Sequence, residues 1–83
     1  MIIYVGNLNY RVTESDLKSI FERFGTVDYV KLVKDRDTGR SKGYGKVEMP
    51  DDDAAKIAIE SLNDNELKGR QIVVKKTLSS VFF

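Results

Sequence analysis

The fold follows from two stretches of the chain, Ile3-Tyr4-Val5-Gly6-Asn7-Leu8 and Lys42-Gly43-Tyr44-Gly45-Lys46-Val47-Glu48-Met49. In each stretch, residues suited to a core alternate with aromatic or charged residues, which predicts a β-strand with one buried face and one open face. In the first stretch Ile3 and Val5 point to one side and Tyr4 points to the other. The second stretch divides in the same way: Gly45, Val47 and Met49 lie on the buried side, and Tyr44, Lys46 and Glu48 lie on the open side.

The open sides of these two strands hold aromatic residues. If the strands are neighbours, Tyr4 and Tyr44 lie on one face of a sheet among basic side chains. Exposed rings with cations nearby suit unstacked nucleic-acid bases. Strands favour tyrosine for other reasons too, so a pair of plain surface tyrosines is the alternative.

The two stretches resemble the hexapeptide and octapeptide signatures of the RNA recognition motif family. The octapeptide template reads basic-Gly-aromatic-Gly/Ala-Phe-Val-x-aromatic, and it is matched by Lys42, Gly43, Tyr44, Gly45 and Val47. The resemblance covers about residues 2 to 76. The run 47–50 and the short chain also resemble the small single-domain RNA-binding proteins of bacteria. The resemblance implies that Tyr4 stacks on one base and that Tyr44 wedges near the sugars between neighbouring nucleotides.

Lys46 departs from the template, which has an aromatic residue there. A lysine ammonium is a compact point charge that suits a phosphate better than a base. One stacked base contributes about 1–3 kcal/mol, so we expect weaker or less selective binding than a member with the full signature shows. A solvated strand lysine beside Glu48 is the alternative. Met49 also departs, but it faces the predicted core, where an apolar residue suffices.

Length and composition set the class of protein. The 83 residues suffice for one small domain. The 14 Lys and Arg oppose 13 Asp and Glu, a net charge of +1, so affinity for nucleic acid has to come from where charges lie and from stacking. There is no cysteine, no basic-then-apolar leader and no apolar run as long as a membrane span. A cytoplasmic protein without membrane association is expected.

Two helices are predicted from capping residues and apolar spacing. Thr13 can cap the first, which has acids in its first turn. Its buried stripe is Leu17, Ile20, Phe21 and Phe24. Gly25 is expected to end this helix in the left-handed conformation. Asp51-Asp52-Asp53 opens the second helix, and its stripe is Ala55, Ala58, Ile59 and Leu62.

The predicted strands are 2–5, 27–33, 44–49 and 71–76, with a polar loop at 34–42 and a short hairpin at Glu66-Leu67. The order β-α-β-β-α-β predicts a ferredoxin-like α+β fold, a four-stranded antiparallel sheet with two helices on one face. The other face is left open. Strand parity assigns to it Tyr4, Tyr29, Lys31, Val33, Tyr44, Lys46, Glu48, Gln71, Val73 and Lys75. We predict a domain at 1–76 and an apolar tail at 77–83.

The residues expected to bind RNA are Tyr4, Asn7, Lys31, Arg40, Lys42, Tyr44, Lys46, Gln71 and Lys75. Arg40 and Lys42 flank the long loop at the sheet edge, where members of the family clamp RNA. Lys75 leaves the last strand on the open side. All three are expected to contact phosphates. Asn7 has two interpretations, contact with RNA or a side-chain hydrogen bond that fixes the loop after the first strand.

No catalytic, cofactor or metal site is predicted. The chain has no His and no Cys, so the usual general base and thiol nucleophile are absent. The acids at 51–53 suit a helix start. The run Asp35-x-Asp37-x-Gly39 has its glycine out of place for a calcium loop, and Gly43-x-Gly45 lacks the rest of a dinucleotide fingerprint.

The predicted function is binding of single-stranded RNA, with single-stranded DNA as a related ligand, and no catalysis. The alternative is a protein-interaction module on the same fold. For that alternative, Ile57 lies off the stripe of the second helix and the tail ends in Val81-Phe82-Phe83. A monomer is expected, and a dimer through the tail is the alternative.

Overall fold

The computed structural model describes residues 1–77. Its elements, in chain order, are β1 (Ile2–Gly6), α1 (Glu14–Glu22), β2 (Tyr29–Lys34), β3 (Ser41–Glu48), α2 (Asp52–Leu62), β4 (Glu66–Leu67), β5 (Arg70–Gln71) and β6 (Val73–Thr77). Four of the strands form an antiparallel sheet in the order β2-β3-β1-β6. The predicted ferredoxin-like α+β fold is confirmed.

One hydrophobic core lies between this sheet and the two helices. The side chains that are 2% exposed or less include Ile3, Val5, Val47 and Val74 from the strands and Leu17, Phe21, Ala55 and Ala58 from the helices. Met49 is buried among them, as its place on the inner side of the predicted strand implied. Because strand side chains alternate, the tyrosines and lysines between these residues point to the opposite face.

Both helices start as the sequence predicts. The backbone N–H of Asp16 donates to Thr13 Oγ1 at 3.1 Å, and the Thr13 N–H donates to Asp16 Oδ2 at 3.0 Å, a reciprocal capping box. The Asp51 carboxylate accepts from the N–H groups of Asp53 and Ala54 at the start of α2. The acids near position 51 therefore have a structural role. Within residues 1–77, neither helix is long and apolar enough to cross a membrane.

The predicted role of Gly25 is wrong. Helix α1 ends at Glu22 with Arg23 as its C-cap, and Gly25 does not have a positive φ. A Cβ atom at Gly25 would lie 2.8 Å from the Cβ of Ala54. The glycine therefore lets the chain after α1 approach α2, a tertiary requirement that the local sequence does not reveal.

The predicted last strand, 71–76, is interrupted near its start. Gln71 lies in β5, which pairs with β4 as a small separate hairpin. The N–H of Ile72 donates to the carbonyl of Asn65, and the Ile72 carbonyl accepts from the N–H of Asp64. Because these bonds hold Ile72 against the turn after α2, Gln71 does not lie on the face of the four-stranded sheet, contrary to the prediction. Strand β6 runs to Thr77, the first residue of the predicted tail; the rest of that tail, 78–83, is outside the described residues.

Candidate nucleic-acid interface

The register of the sheet arranges the open face in transverse rows. The central row contains one residue from each strand: Lys31, Lys46, Tyr4 and Lys75. The row on one side contains Tyr29, Glu48, Ile2 and Thr77. On the other side Gly6 pairs with Val73. Val5 pairs with Gly45, so the next residues of the two antiparallel strands, Gly6 and Tyr44, also lie side by side in this row. The sheet thus brings together five of the predicted binding residues, namely Tyr4, Lys31, Tyr44, Lys46 and Lys75.

The two signature tyrosines form one aromatic surface. The ring centroids of Tyr4 and Tyr44 are 6.2 Å apart, and their planes are inclined by 26°. The Tyr4 ring leans along β1 and covers Gly6, where a Cβ atom would lie 2.7 Å from two of its carbons. Gly6 therefore lets the ring of Tyr4 lie low over the strand, beside Tyr44.

A lysine flanks Tyr4 on each side, Lys75 on β6 and Lys46 on β3. The Lys75 Nζ atom lies 5.2 Å from the centroid of the Tyr4 ring, within the range of a cation–π contact. On the other side of Tyr4, Lys46 Nζ lies 5.3 Å from the centroid of the Tyr29 ring and 3.6 Å from Glu48 Oε2. The contact with Glu48 is the one that the alternative interpretation of Lys46 anticipated. The Lys46 side chain is nevertheless only 12% exposed, and that of Glu48 is 38% exposed, so Lys46 is not the solvated lysine of that interpretation. A phosphate at Lys46 has to compete with Glu48 for the ammonium.

Asn7 has both ends of its side-chain amide engaged. Its Nδ2 donates to the Gln71 carbonyl at 2.7 Å, and its Oδ1 accepts from Arg70 Nη2 at 2.6 Å. Its backbone has a φ of 54°, which asparagine tolerates better than most residues. Asn7 therefore fastens the end of β1 to β5, a structural role of the kind expected but with partners far along the chain. Contact of Asn7 or Gln71 with RNA stays a prediction.

The loop between β2 and β3 is built around Asp35. Its Oδ1 accepts from the N–H groups of Asp37 and Thr38, at 2.8 and 3.1 Å. The bonds from Thr38 and Asp37 hold the pKa of the Asp35 carboxyl below its ordinary value. Arg40 is the last residue of this loop and Lys42 is the second residue of β3, and both are exposed. The register of β2 against β3 shifts between the pair Leu32–Gly45 and the pair Lys34–Ser41, so strand alternation does not fix the direction of Lys42. Phosphate contacts of Arg40 and Lys42 stay predictions.

Tyr29 belongs to the predicted open face but not to the predicted binding residues. In the structure Tyr29 is 47% exposed, and its ring lies under the Lys46 ammonium. The alternation of β2 could have identified Tyr29 as a candidate, because it puts Leu32 in the core and Tyr29 on the other side. The family signatures are confined to β1 and β3, and the only residue of β2 among the predicted binding residues is Lys31.

Comparison with known proteins identifies the family. The model of the RNA recognition motif matches residues 3–73. A Nostoc sp. protein named "Putative RNA-binding protein RbpD" is 50% identical over 76 residues, which are 92% of this chain and 81% of that protein. A human protein named "Probable RNA-binding protein 23" is 50% identical over 89% of this chain, but the match spans 17% of the human protein's length.

Solved structures agree with this identification. The crystal structure of RNA Binding Protein PG1 has a TM-score of 0.92 and 51% identity, with 95% of each chain covered. The RRM of Rna15 with bound RNA (GU) has a TM-score of 0.85 and 30% identity, covering 95% of this chain and 84% of that one. The chain belongs to the RNA recognition motif family.

Proposed function

We propose that this protein binds single-stranded RNA across the open face of the sheet β2-β3-β1-β6, without chemical change to the RNA. The observation that carries the proposal is the aromatic surface of Tyr4 and Tyr44, whose ring centroids lie 6.2 Å apart on that face. Each stacked base contributes about 1–3 kcal/mol. Single-stranded DNA offers the same base faces and is a second expected ligand.

The charges of the central row support this mode of binding. Lys46 and Lys75 are the register partners of Tyr4 on either side, one on β3 and the other on β6. A base stacked on Tyr4 therefore has a cation on each side, and its flanking phosphates lie within reach of long lysine side chains. The Rna15 structure, which contains bound RNA, supports the same ligand class for this chain.

The open face favours unpaired RNA over a duplex. Base faces are buried inside a double helix, whereas an unpaired strand can offer them to the rings. The net charge of +1 also gives the chain little general attraction to a duplex. Sequence choice would depend on contacts at the strand ends.

The test is a titration of the protein with mixed-sequence single-stranded RNA, followed through backbone amide NMR signals. We expect the largest shifts at Tyr4, Tyr44, Lys46 and Lys75. The amide of Ile57 is the internal control, because it lies on α2, which packs on the opposite face. The absence of shifts at these four residues would contradict the proposal and favour the protein-interaction module, for which the Ile57 side chain, 54% exposed on α2, is the expected contact.

A further inference from the structure

We infer that Tyr29 is a second base-stacking position, which takes over from the aromatic residue that this chain lacks at position 46. The inference rests on the proposed function and names a nucleotide subsite within it. Its ligand is a nucleobase of the same strand, next to the one on Tyr4, together with a phosphate at Lys46.

Tyr29 lies on the open face beside position 46. Tyr29 is the register partner of Glu48, and Lys31 is the register partner of Lys46. Tyr29 is therefore the diagonal neighbour of position 46 on the same face. Diagonal neighbours lie about 7–8 Å apart, within reach of an aromatic side chain. The ring is thus displaced by one strand from the place where the family template has one.

The Tyr29 ring is accessible and has a cation beside it. Tyr29 is 47% exposed. The Lys46 ammonium lies 5.3 Å from its centroid. The Lys46 side chain is only 12% exposed, and a cation–π contact is comparable in strength with one stacked base. A base therefore displaces the ammonium from the ring because the ammonium gains a phosphate contact in exchange. The displaced ammonium then stands next to the stacked nucleotide, where its charge suits the phosphate.

Tyr10 provides a matched control within the same chain. It is 65% exposed, and the Arg11 guanidinium carbon lies 5.9 Å from its ring centroid. It therefore combines an exposed tyrosine ring with a nearby cation, as Tyr29 does. However, Tyr10 lies in the segment between β1 and α1 and not on the sheet face. The difference in location is the one that the comparison of the two rings tests.

The experiment measures dissociation constants for a mixed-sequence single-stranded RNA by fluorescence anisotropy. Tyr29→Ala is expected to weaken binding about 5- to 150-fold, the value of one stacked base. Tyr29→Phe, which keeps the ring, and Tyr10→Ala, which removes a ring elsewhere, are both expected to bind like the parent. Introducing Lys46→Phe into Tyr29→Ala is expected to recover part of the lost affinity, because it returns a ring to the neighbouring template position while it removes the phosphate contact of Lys46.

Binding by Tyr29→Ala equal to that of Tyr10→Ala, while Tyr4→Ala binds weakly, would overturn this inference and leave the proposed function intact. A weakening in Tyr29→Ala that Lys46→Phe does not reverse even in part would also overturn it, because the absence of a ring would then not be the cause. If Tyr4→Ala, Tyr44→Ala and Tyr29→Ala all bind like the parent, the proposed function itself fails.

Discussion

The ring of Tyr4 lies directly over Gly6, two residues further along β1, and leaves no room for a side chain there. An added Cβ atom would come within 2.7 Å of two ring carbons. The atoms that it meets belong to the end of one side chain rather than to the backbone, so the ring would move and the strand would stay. Gly6 thus determines how close the Tyr4 ring lies to the strand. Gly6 has no side chain with which to contact a base itself.

Gly6→Ala is therefore expected to weaken RNA binding while the protein stays folded. The loss of affinity should be up to about 1–3 kcal/mol, the value of the base that Tyr4 would stack. Anisotropy titrations measure the affinity, and a thermal melt checks the fold. If Gly6 acts through the ring, Tyr4→Ala with Gly6→Ala will bind no worse than Tyr4→Ala alone. Additive losses would show that Gly6 acts in another way.

Tyr4→Ala and Tyr44→Ala should each reduce affinity by about 1–3 kcal/mol and leave the core intact. The rings are on the open face, whereas the neighbouring Ile3 and Val5 are fully buried in the core. The same titrations measure the effect, with Tyr10→Ala as the control for removal of an exposed tyrosine. Parental affinity in both variants would mean that RNA, if it binds, binds elsewhere.

The local pattern of the sequence was sufficient to predict this aromatic surface. Alternation around Tyr4 and Tyr44 assigns both rings to one side, and the family signatures agree with it. Gln71 was misassigned because alternation assumes a continuous strand. Bonds to Ile72 from the turn after α2 end the alternation before β6 begins. Strand periodicity cannot reveal hydrogen bonds made by another segment.

The misinterpretation of Gly25 has the same origin. A glycine after an apolar stripe commonly marks a helix C-terminus, but here it accommodates Ala54, which is distant in sequence. The partners of Asn7 at Arg70 and Gln71 are likewise more than sixty residues away. Sequence patterns predict the faces of strands and the starts of helices, whereas close approaches between distant segments depend on the assembled fold.

Lys46→Ala is expected to reduce the salt dependence of RNA binding. Removing one phosphate interaction with a single strand lowers the slope of log affinity against log salt by about 0.7. Binding is measured over a range of salt concentrations. Lys56→Ala is the matched control, because Lys56 is exposed on α2, which packs on the far face of the sheet. Equal slopes for Lys46→Ala and the parent would favour the pair with Glu48 as the main role of the lysine.

A hairpin stem and an unpaired oligonucleotide of the same length should bind with different affinities. The unpaired strand is expected to bind more tightly in the same salt, because only its bases can reach the rings of Tyr4 and Tyr44. Competition between the two RNAs for one labelled complex measures the difference directly. Equal competition would count against stacking on the sheet and favour contact with phosphates alone.

Asp16 links α1 to the β4–β5 hairpin in a way that makes stability depend on pH. The Thr13 N–H and then the Lys68 ammonium, 3.0 Å from Asp16 Oδ2, hold the pKa of the Asp16 carboxyl below its ordinary value. Because the folded protein holds the proton less tightly than the unfolded chain, this carboxylate stabilises the fold above the ordinary aspartate pKa, about 3.9, and the stabilisation is lost as the pH falls through the folded value. Asp35 acts in the same direction.

The difference in unfolding free energy between neutral pH and acid should therefore be smaller in Asp16→Asn than in the parent, because the asparagine does not titrate. Urea titrations at a series of pH values measure it. Lys68→Met removes the ammonium but leaves the Thr13 bond, which is the larger cause of the lowered pKa. It should consequently reduce the pH dependence without abolishing it. If the unfolding free energy of Asp16→Asn falls with decreasing pH as steeply as that of the parent, the carboxylate in the capping box does not govern the acid stability of this fold.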